Sequence, residues 1–343
     1  MARSVRSRLQ LKTVLIVTLL TLIGGGAYGV SLGSEFWVGA SRGAVTALFI
    51  SMPVLLFEVY IANGPLGTPL RRGPLWRWLA IKTSIYVGVI ALGETATWLL
   101  FSEAFDIQTS SYWEGMRATL IFSIPAAFAI NAVFVIRQML GAGTMASLLF
   151  GRYHRPRQED LVFVFIDLVG STSIAEKIGP VRFFELLNRF VYDVSTAIVE
   201  QRGRIYRYVG DEVIAVWPLG NPEQNSQCIA AWRDAVRNLE RSRDDYQREF
   251  GFVPAVRCAI HSGTVVTGEM GDLKREITYL GDAVNTTARI EQACKARNAA
   301  CLASAAFLEK TALPEGISRR SIGAVPLAGK EKDIPLDELS ISG

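Results

Sequence analysis

Residues 159–173 read EDLVFVFIDLVGSTS, and the run Leu161–Leu168 inside them decides the fold of the C-terminal half. It is continuously apolar and rich in β-branched and aromatic residues, the pattern of a strand buried on both faces. Asp167, near its end, is out of keeping with a simple core. The small residues Val169-Gly170-Ser171-Thr172-Ser173 follow and lead into a helical pattern. Backbone N–H groups in such a strand-to-helix turn can cradle phosphate oxygens. Taken alone, the turn can equally be a Ser or Thr capping the helix.

Downstream, Phe183, Phe184, Leu187, Phe190, Val191, Val194 and Ile198 recur at helical spacing, which predicts a long amphipathic helix packed on a sheet. Arg204–Tyr208 and Val213–Trp217 read as two strands of a hairpin whose turn is Val209-Gly210-Asp211-Glu212. An acid such as Asp211 is unremarkable in a tight turn. A helix from about Cys228 to Phe250 is expected next. Then come a strand Ala255–Ile260, a glycine turn at Ser262-Gly263, a strand Val265–Gly268 and a short strand Ile277–Leu280. Gly281-Asp282 opens a helix that carries Asn285 and Arg289. The order βαββαβ with appended β-structure predicts an α+β, ferredoxin-like domain.

Upstream, the composition changes. Half of the 343 residues are hydrophobic, and the excess lies in the first 136. Four stretches there, about Leu11–Leu32, Gly43–Ala62, Trp78–Phe101 and Ala118–Ile136, reach the ~20 residues a helix needs to cross a bilayer. The Gly24-Gly25-Gly26 run offers no convincing cleavage site, so the first is expected to be a span and not a removed signal. The N-terminus carries Arg3, Arg6, Arg8 and Lys12 with no acid. Arg71, Arg72 and Arg77 lie between the second and third, while Glu103, Asp106 and Glu114 follow the third. The positive-inside bias therefore predicts a multi-pass protein of the cell membrane, with both ends and the C-terminal domain in the cytoplasm. Glu58 and Glu94 fall within spans, where an acid marks a ligand, ion or proton site or else lies near a span end as a structural group. Lys82 is expected to snorkel. Residues 1–136 thus form a four-helix transmembrane domain, 137–158 a helical connector ending near Pro156, and 159–343 the cytosolic domain.

Charge and cysteine usage narrow the partners. A net charge of +4 is modest, and no nucleic-acid partner is expected. Cys228, Cys258, Cys294 and Cys301 form no CxxC pair, and His154 and His261 are the two histidines, so zinc spacing is absent. Buried reduced thiols are the expected state.

Three segments in order, FIDLVGST (165–172), YVGDEV (208–213) and YLGDAVNTTARIE (279–291), make the chain resemble the class III adenylate/guanylate cyclases. The resemblance covers about Glu159 to Ser342. It implies a nucleoside triphosphate substrate whose 3′-hydroxyl attacks its own α-phosphorus and expels pyrophosphate. Two divalent cations, Mg²⁺ or Mn²⁺, are implied, held by Asp167, Asp211 and the backbone carbonyl of Leu168. Carboxylate oxygens suit such hard ions. Gly170, Ser171 and Thr172 would contact phosphates. Asn285 would orient the ribose and Arg289 would stabilise the transition-state phosphates; their four-residue spacing gives them one helical face. Alone, Arg289 reads as well as a surface ion pair with Glu291 or a neighbour. Lys330, in LAGKEK, resembles the family's late triphosphate-binding lysine.

Base choice follows two further positions. Where adenylate cyclases of the family have Lys, this chain has Arg207; the partner position is Thr278, a type found in adenylate cyclases. The Glu and Cys of guanylate cyclases are absent from both. The resemblance therefore implies ATP as substrate and cyclic AMP as product, with a guanylate cyclase or a catalytically silent nucleotide-binding receptor as alternatives. The family builds its sites across a dimer interface, so a head-to-tail homodimer is implied.

Overall fold

In the computed structural model, residues 2–31, 36–62, 74–105, 151–273, 275–327 and 332–342 are described, with scattered positions between 112 and 132. The chain divides into two compact units, Met1–Leu140 and Gly141–Gly343.

The first unit is helical. α1 (Ala2–Ser31), α2 (Phe36–Leu56) and α3 (Leu75–Phe105) are its long elements, and α2 runs into a π-helical segment, Phe57–Ala62. Two helices, Phe36–Leu56 and Trp76–Ser102, are long and apolar enough to cross a membrane; the apolar part of α1, Thr18–Ser31, is shorter. Most of the expected fourth span and residues 137–150 of the expected connector lie outside the described residues. α1 and α2 touch through a seam of glycines. A Cβ added to Gly29 would lie 2.0 Å from the carbonyl oxygen of Gly39, and one on Gly43 would lie 2.0 Å from that of Gly25. Both helices thus carry a Gly-xxx-Gly step that brings their backbones into contact, where dispersion replaces the hydrophobic effect.

Lys82 does not snorkel. It is 4% exposed and pairs with Glu58, which also accepts a hydrogen bond from Tyr86. The ammonium stands 5.7 Å and 5.9 Å from the ring centroids of Trp78 and Tyr86. An unpaired charge here would be costly, and the pair joins the π-helical segment to α3. Glu94 is half-buried in α3.

The second unit is built on one sheet of eight strands. β1 (Arg157–Leu168) leads through α4 (Ser171–Ile178) and α5 (Pro180–Glu200) to the hairpin β2 (Arg204–Val209) and β3 (Glu212–Pro218). α6 (Pro222–Arg241), α7 (Arg243–Phe250), β4 (Val256–Met270), β5 (Glu276–Leu280) and α8 (Asp282–Arg297) follow. β6 (Cys301–Ser304), a one-turn helix α9 (Ala305–Leu308), β7 (Ile317–Val325) and β8 (Ile334–Ile341) complete it. The strand order is β2-β3-β1-β4-β6-β8-β7, with β5 on β4. Its first four members are the antiparallel ferredoxin-like set, so the expected α+β core is present.

β1 is central, and its alternation sorts the core. Val162, Val164, Ile166 and Leu168 pack on the α5 and α6 side, while Leu161, Phe163 and Phe165 pack on the α8 side. Asp167 has the parity of the second set, so its carboxylate is aimed at α8. The four cysteines are free and buried, as expected.

Four expectations need correction. The helix expected over Cys228–Phe250 is two helices, broken at Ser242, and it starts earlier. Asn221 caps it by accepting from the Gln224 N–H, and the Gln224 side chain accepts from the Asn221 N–H in return. Phe184 is 65% exposed, because it lies one residue off the stripe of Phe190, Val194 and Ile198. Residues 151–155 form turns and not the end of a helix. The glycine turn at Ser262-Gly263 does not exist: β4 runs straight through it, with Gly263 opposite Leu161 on β1. Gly263 is a packing device instead. A Cβ there would lie 2.8 Å from Cβ of Ala283 at the start of α8. Since Cβ atoms cannot rotate away, Gly263→Ala should cost about 1–3 kcal/mol in urea unfolding. Ala283→Gly in the same chain should recover part of that loss, and strictly additive effects would show that the helix approach is not what Gly263 protects.

Candidate active site

Asp167 sits at the end of β1 with only 4% of its surface exposed. A carboxylate so placed needs partners. Arg257, opposite it on β4, is 9% exposed and has Nη1 3.8 Å from Asp167 Oδ2. Lys295, in the last turn of α8, places Nζ 3.2 Å from the same oxygen and 2.6 Å from Oε1 of Glu291. Asp211, in the β2–β3 turn, comes close enough to hydrogen-bond to Asp167. The strand end and the hairpin turn therefore meet, as the sequence requires of a shared cation site.

Electrostatics at this edge are strained by like charge. Burial, then the hydrogen bond and charge of Asp211, push the Asp167 carboxyl up to about 6, with Lys295 pulling the other way. Burial, then the charges of Glu291 and Asp167, push Glu212 up to about 7. Carboxylates that repel each other in a dry site and already draw an ammonium to one oxygen fit a hard divalent cation. Asp167 and Asp211 could hold it. No cluster of three or more His, Cys, Asp or Glu side chains suited to a metal is found among the described residues. A two-carboxylate set leaves the remaining positions to backbone oxygen, water and phosphate.

The turn after β1 is the expected one in detail. Gly170 caps α4 in a left-handed conformation, φ 72°, and no side chain caps the helix. Ser173 Oγ donates to the Gly170 carbonyl, 2.8 Å, instead of accepting from an N–H. Hydroxyl capping is thus excluded, and the first N–H groups of α4, which have no partner inside the helix, are left to a ligand. Gly170 and Thr172 are exposed and Ser171 half-buried.

Arg207 and Thr278 lie on β2 and β5, strands bridged by the T-shaped rings of Tyr206 and Tyr279, 4.7 Å between centroids. Arg207 is not free: Nη2 is 2.5 Å from Oε2 of Glu276, two residues before Thr278 and on the same strand face. Asn285 is exposed and Arg289 half-buried on α8. The suspected ion pair of Arg289 with Glu291 is absent, because Glu291 pairs with Lys295. Arg289 has no ion pair among the described residues. Among the described residues no ion pair joins it to Asp167, whose partners are Arg257 and Lys295. Lys330 lies outside the described residues.

Glu212, Arg257, Glu276, Glu291 and Lys295 were not singled out from the sequence. The i,i+4 pair of Glu291 and Lys295 was legible as a helix ion pair, but nothing local shows that its open end meets Asp167.

Fold and site together define an α+β domain with acidic side chains gathered at one sheet edge. Residues 153–334 match the family described as "Adenylate and Guanylate cyclase catalytic domain". Adenylate cyclase 2 of Rhizobium meliloti (strain 1021) is 32% identical over 98% of this chain and 94% of its own length, helical half included. The adenylate cyclase of Anabaena cylindrica is 30% identical over 52% of this chain and 36% of its own length. A bacterial light-regulated adenylyl cyclase of solved structure has the same fold, with a TM-score of 0.55 at 20% identity over 65% of each chain. The chain belongs to the adenylate and guanylate cyclase family.

The raised carboxyls fix the pH dependence of the metal-free protein. A folded state that binds protons more tightly than the unfolded one is stabilised below the unfolded carboxyl range. That stability is lost as pH rises through about 6 for Asp167 and about 7 for Glu212. Asp211→Asn removes one source of repulsion. In EDTA its Tm should exceed that of the parent at about pH 8, and the difference should shrink towards about pH 5. Thermal unfolding at both pH values checks this; a difference independent of pH would contradict the assigned repulsion.

Proposed function

We propose that this chain is a membrane-anchored adenylate cyclase that converts ATP to cyclic AMP and pyrophosphate at sites shared by two copies of itself. The observation that carries this reading is Asp167, a carboxylate buried at the end of a central strand and brought against Asp211. The names of the two relatives support ATP as the substrate, and the two long apolar helices support the membrane anchor.

In the reaction, the 3′-hydroxyl loses its proton to solvent and its oxygen bonds to the α-phosphorus as the bond from that phosphorus to the bridging oxygen breaks and pyrophosphate leaves. Asp167, Asp211 and the Leu168 carbonyl would hold Mg²⁺ or Mn²⁺, which would supply Lewis acidity towards the hydroxyl and the leaving group. The chain's own groups do the rest. N–H groups from Gly170 to Thr172 receive phosphate oxygens, and Lys330 adds charge to the triphosphate. Asn285 orients the ribose. Arg289, always charged and without an ion pair among the described residues, forks onto the phosphates as charge builds. Thr278 accepts from the adenine amino group, and Arg207 donates to a ring nitrogen once it leaves Glu276.

The side of α8 that carries Asn285 and Arg289 is turned away from the side whose Glu291 and Lys295 meet Asp167, which supports a head-to-tail pair with twofold symmetry and two equal sites. Exposed apolar side chains on α5 and the hairpin, Val181, Phe184, Tyr208 and Val209 among them, supply a surface to cover. The catalytic unit would face the cytoplasm, where ATP is, and the N-terminal helices would hold two copies together.

Full-length protein in membranes, offered ATP and GTP together with Mn²⁺, should yield mainly cyclic AMP. Cyclic GMP as the main product would reassign the base, and nucleotide binding without either product would favour a silent receptor. Asp167→Ala and Asp211→Ala should each bring turnover to background, and Arg289→Ala should lower kcat on the order of 10²–10³-fold. Co-expressed Asp211→Ala and Arg289→Ala chains should regain roughly a quarter of parental activity, since half of random pairs are mixed and each holds one intact site. Mixed pairs as inactive as either variant alone would rule out shared sites.

A further inference from the structure

We infer that Lys295 is a resident cation that holds Asp167 Oδ2 in the metal-free enzyme and must be displaced from it when a divalent ion binds, so that it sets the metal affinity of the site. The inference rests on Asp167 and Asp211 being the metal ligands.

Three features of α8 lead to it. First, the oxygen is contested. Oδ2 of a 4%-exposed carboxylate is where Nζ of Lys295 sits at 3.2 Å, within the space a metal bound to that oxygen would need. Arg257 stands further off, at 3.8 Å, and is 9% exposed, far more confined than Lys295. Lys295 is half exposed on a flexible stem and can swing out. Second, it has somewhere to go. Glu291 lies one turn back on the same helix, with Oε1 2.6 Å from Nζ, so the ammonium can release Asp167 and keep a partner. Third, without it the edge is a concentration of negative charge. Asp211 acts on Asp167, and Glu291, Asp167 and Asp211 all act on Glu212, while Lys295 pairs with Asp167 and Glu291 at once. The helix therefore has two working faces. Asn285 and Arg289 lie on one; Glu291, two residues beyond Arg289, is turned about 200° away, towards the chain's own aspartates.

Competition predicts the sign of the effect. An opposite charge this close changes the cation affinity of a carboxylate by about tenfold or more. Full-length Lys295→Met in detergent should bind Mn²⁺ about tenfold more tightly than the parent at neutral pH, by electron paramagnetic resonance of free Mn²⁺. Arg297→Met is the control: it removes one charge from an exposed position of the same helix with no ion pair to Asp167, and its Kd should stay within about twofold. In EDTA, Lys295→Met should unfold at lower temperature than the parent and close that gap when Mn²⁺ is added. A merely structural lysine would lower Tm equally in both conditions. Unchanged or weaker Mn²⁺ binding by Lys295→Met, or an equal gain from Arg297→Met, overturns the inference. If Lys295→Met does not fold, Lys295→Gln serves for the same measurements. Asp167→Asn separates the two readings: it should abolish the tight Mn²⁺ site, and if it does not, the metal assignment itself fails and the inference with it.

Discussion

Carboxylates crowded into a dry sheet edge repel one another, and much of this catalytic unit is arranged around that repulsion. Asp167 is carried there by a strand whose other side chains leave it no freedom: even-numbered residues fill one core, odd-numbered ones the other. The hairpin brings Asp211 to the same point, and burial raises the cost of charging Asp167. Such a site is poorly suited to being empty and well suited to a divalent cation. Lys295 and Arg257 temper it meanwhile.

Helix α8 links this edge to the rest of the chemistry. It lies close on the sheet because Gly263 presents no side chain to Ala283. Its position there brings Lys295 to Asp167 while Asn285 and Arg289 are turned elsewhere. Strands β2 and β5 are tied in a similar way, since Arg207 is held on Glu276, two residues before Thr278.

In the N-terminal helices, close glycine contact and satisfied polar groups join neighbouring elements. The Gly25–Gly29 and Gly39–Gly43 steps provide the first, and Glu58 with Lys82 and Tyr86 the second.

Periodicity and turn chemistry made much of this legible in the sequence. Continuous apolar character marked β1, the GD turn marked the hairpin, and the order of elements marked an α+β core, because these signals are local and the backbone answers to them locally. Three spaced motifs pointed to Asp167, Asp211, Asn285 and Arg289. What the sequence could not decide was set by partners distant in the chain. Ser262-Gly263 looks like a turn until a neighbouring strand pairs with it and a helix packs over it. Lys82 looks like a snorkelling lysine until Glu58 is found beside it. Lys295 looks like half of an ordinary helix ion pair, and only the packing of α8 on β1 puts its ammonium on the buried carboxylate, because a charge's role depends on which opposite charges share its low-dielectric surroundings.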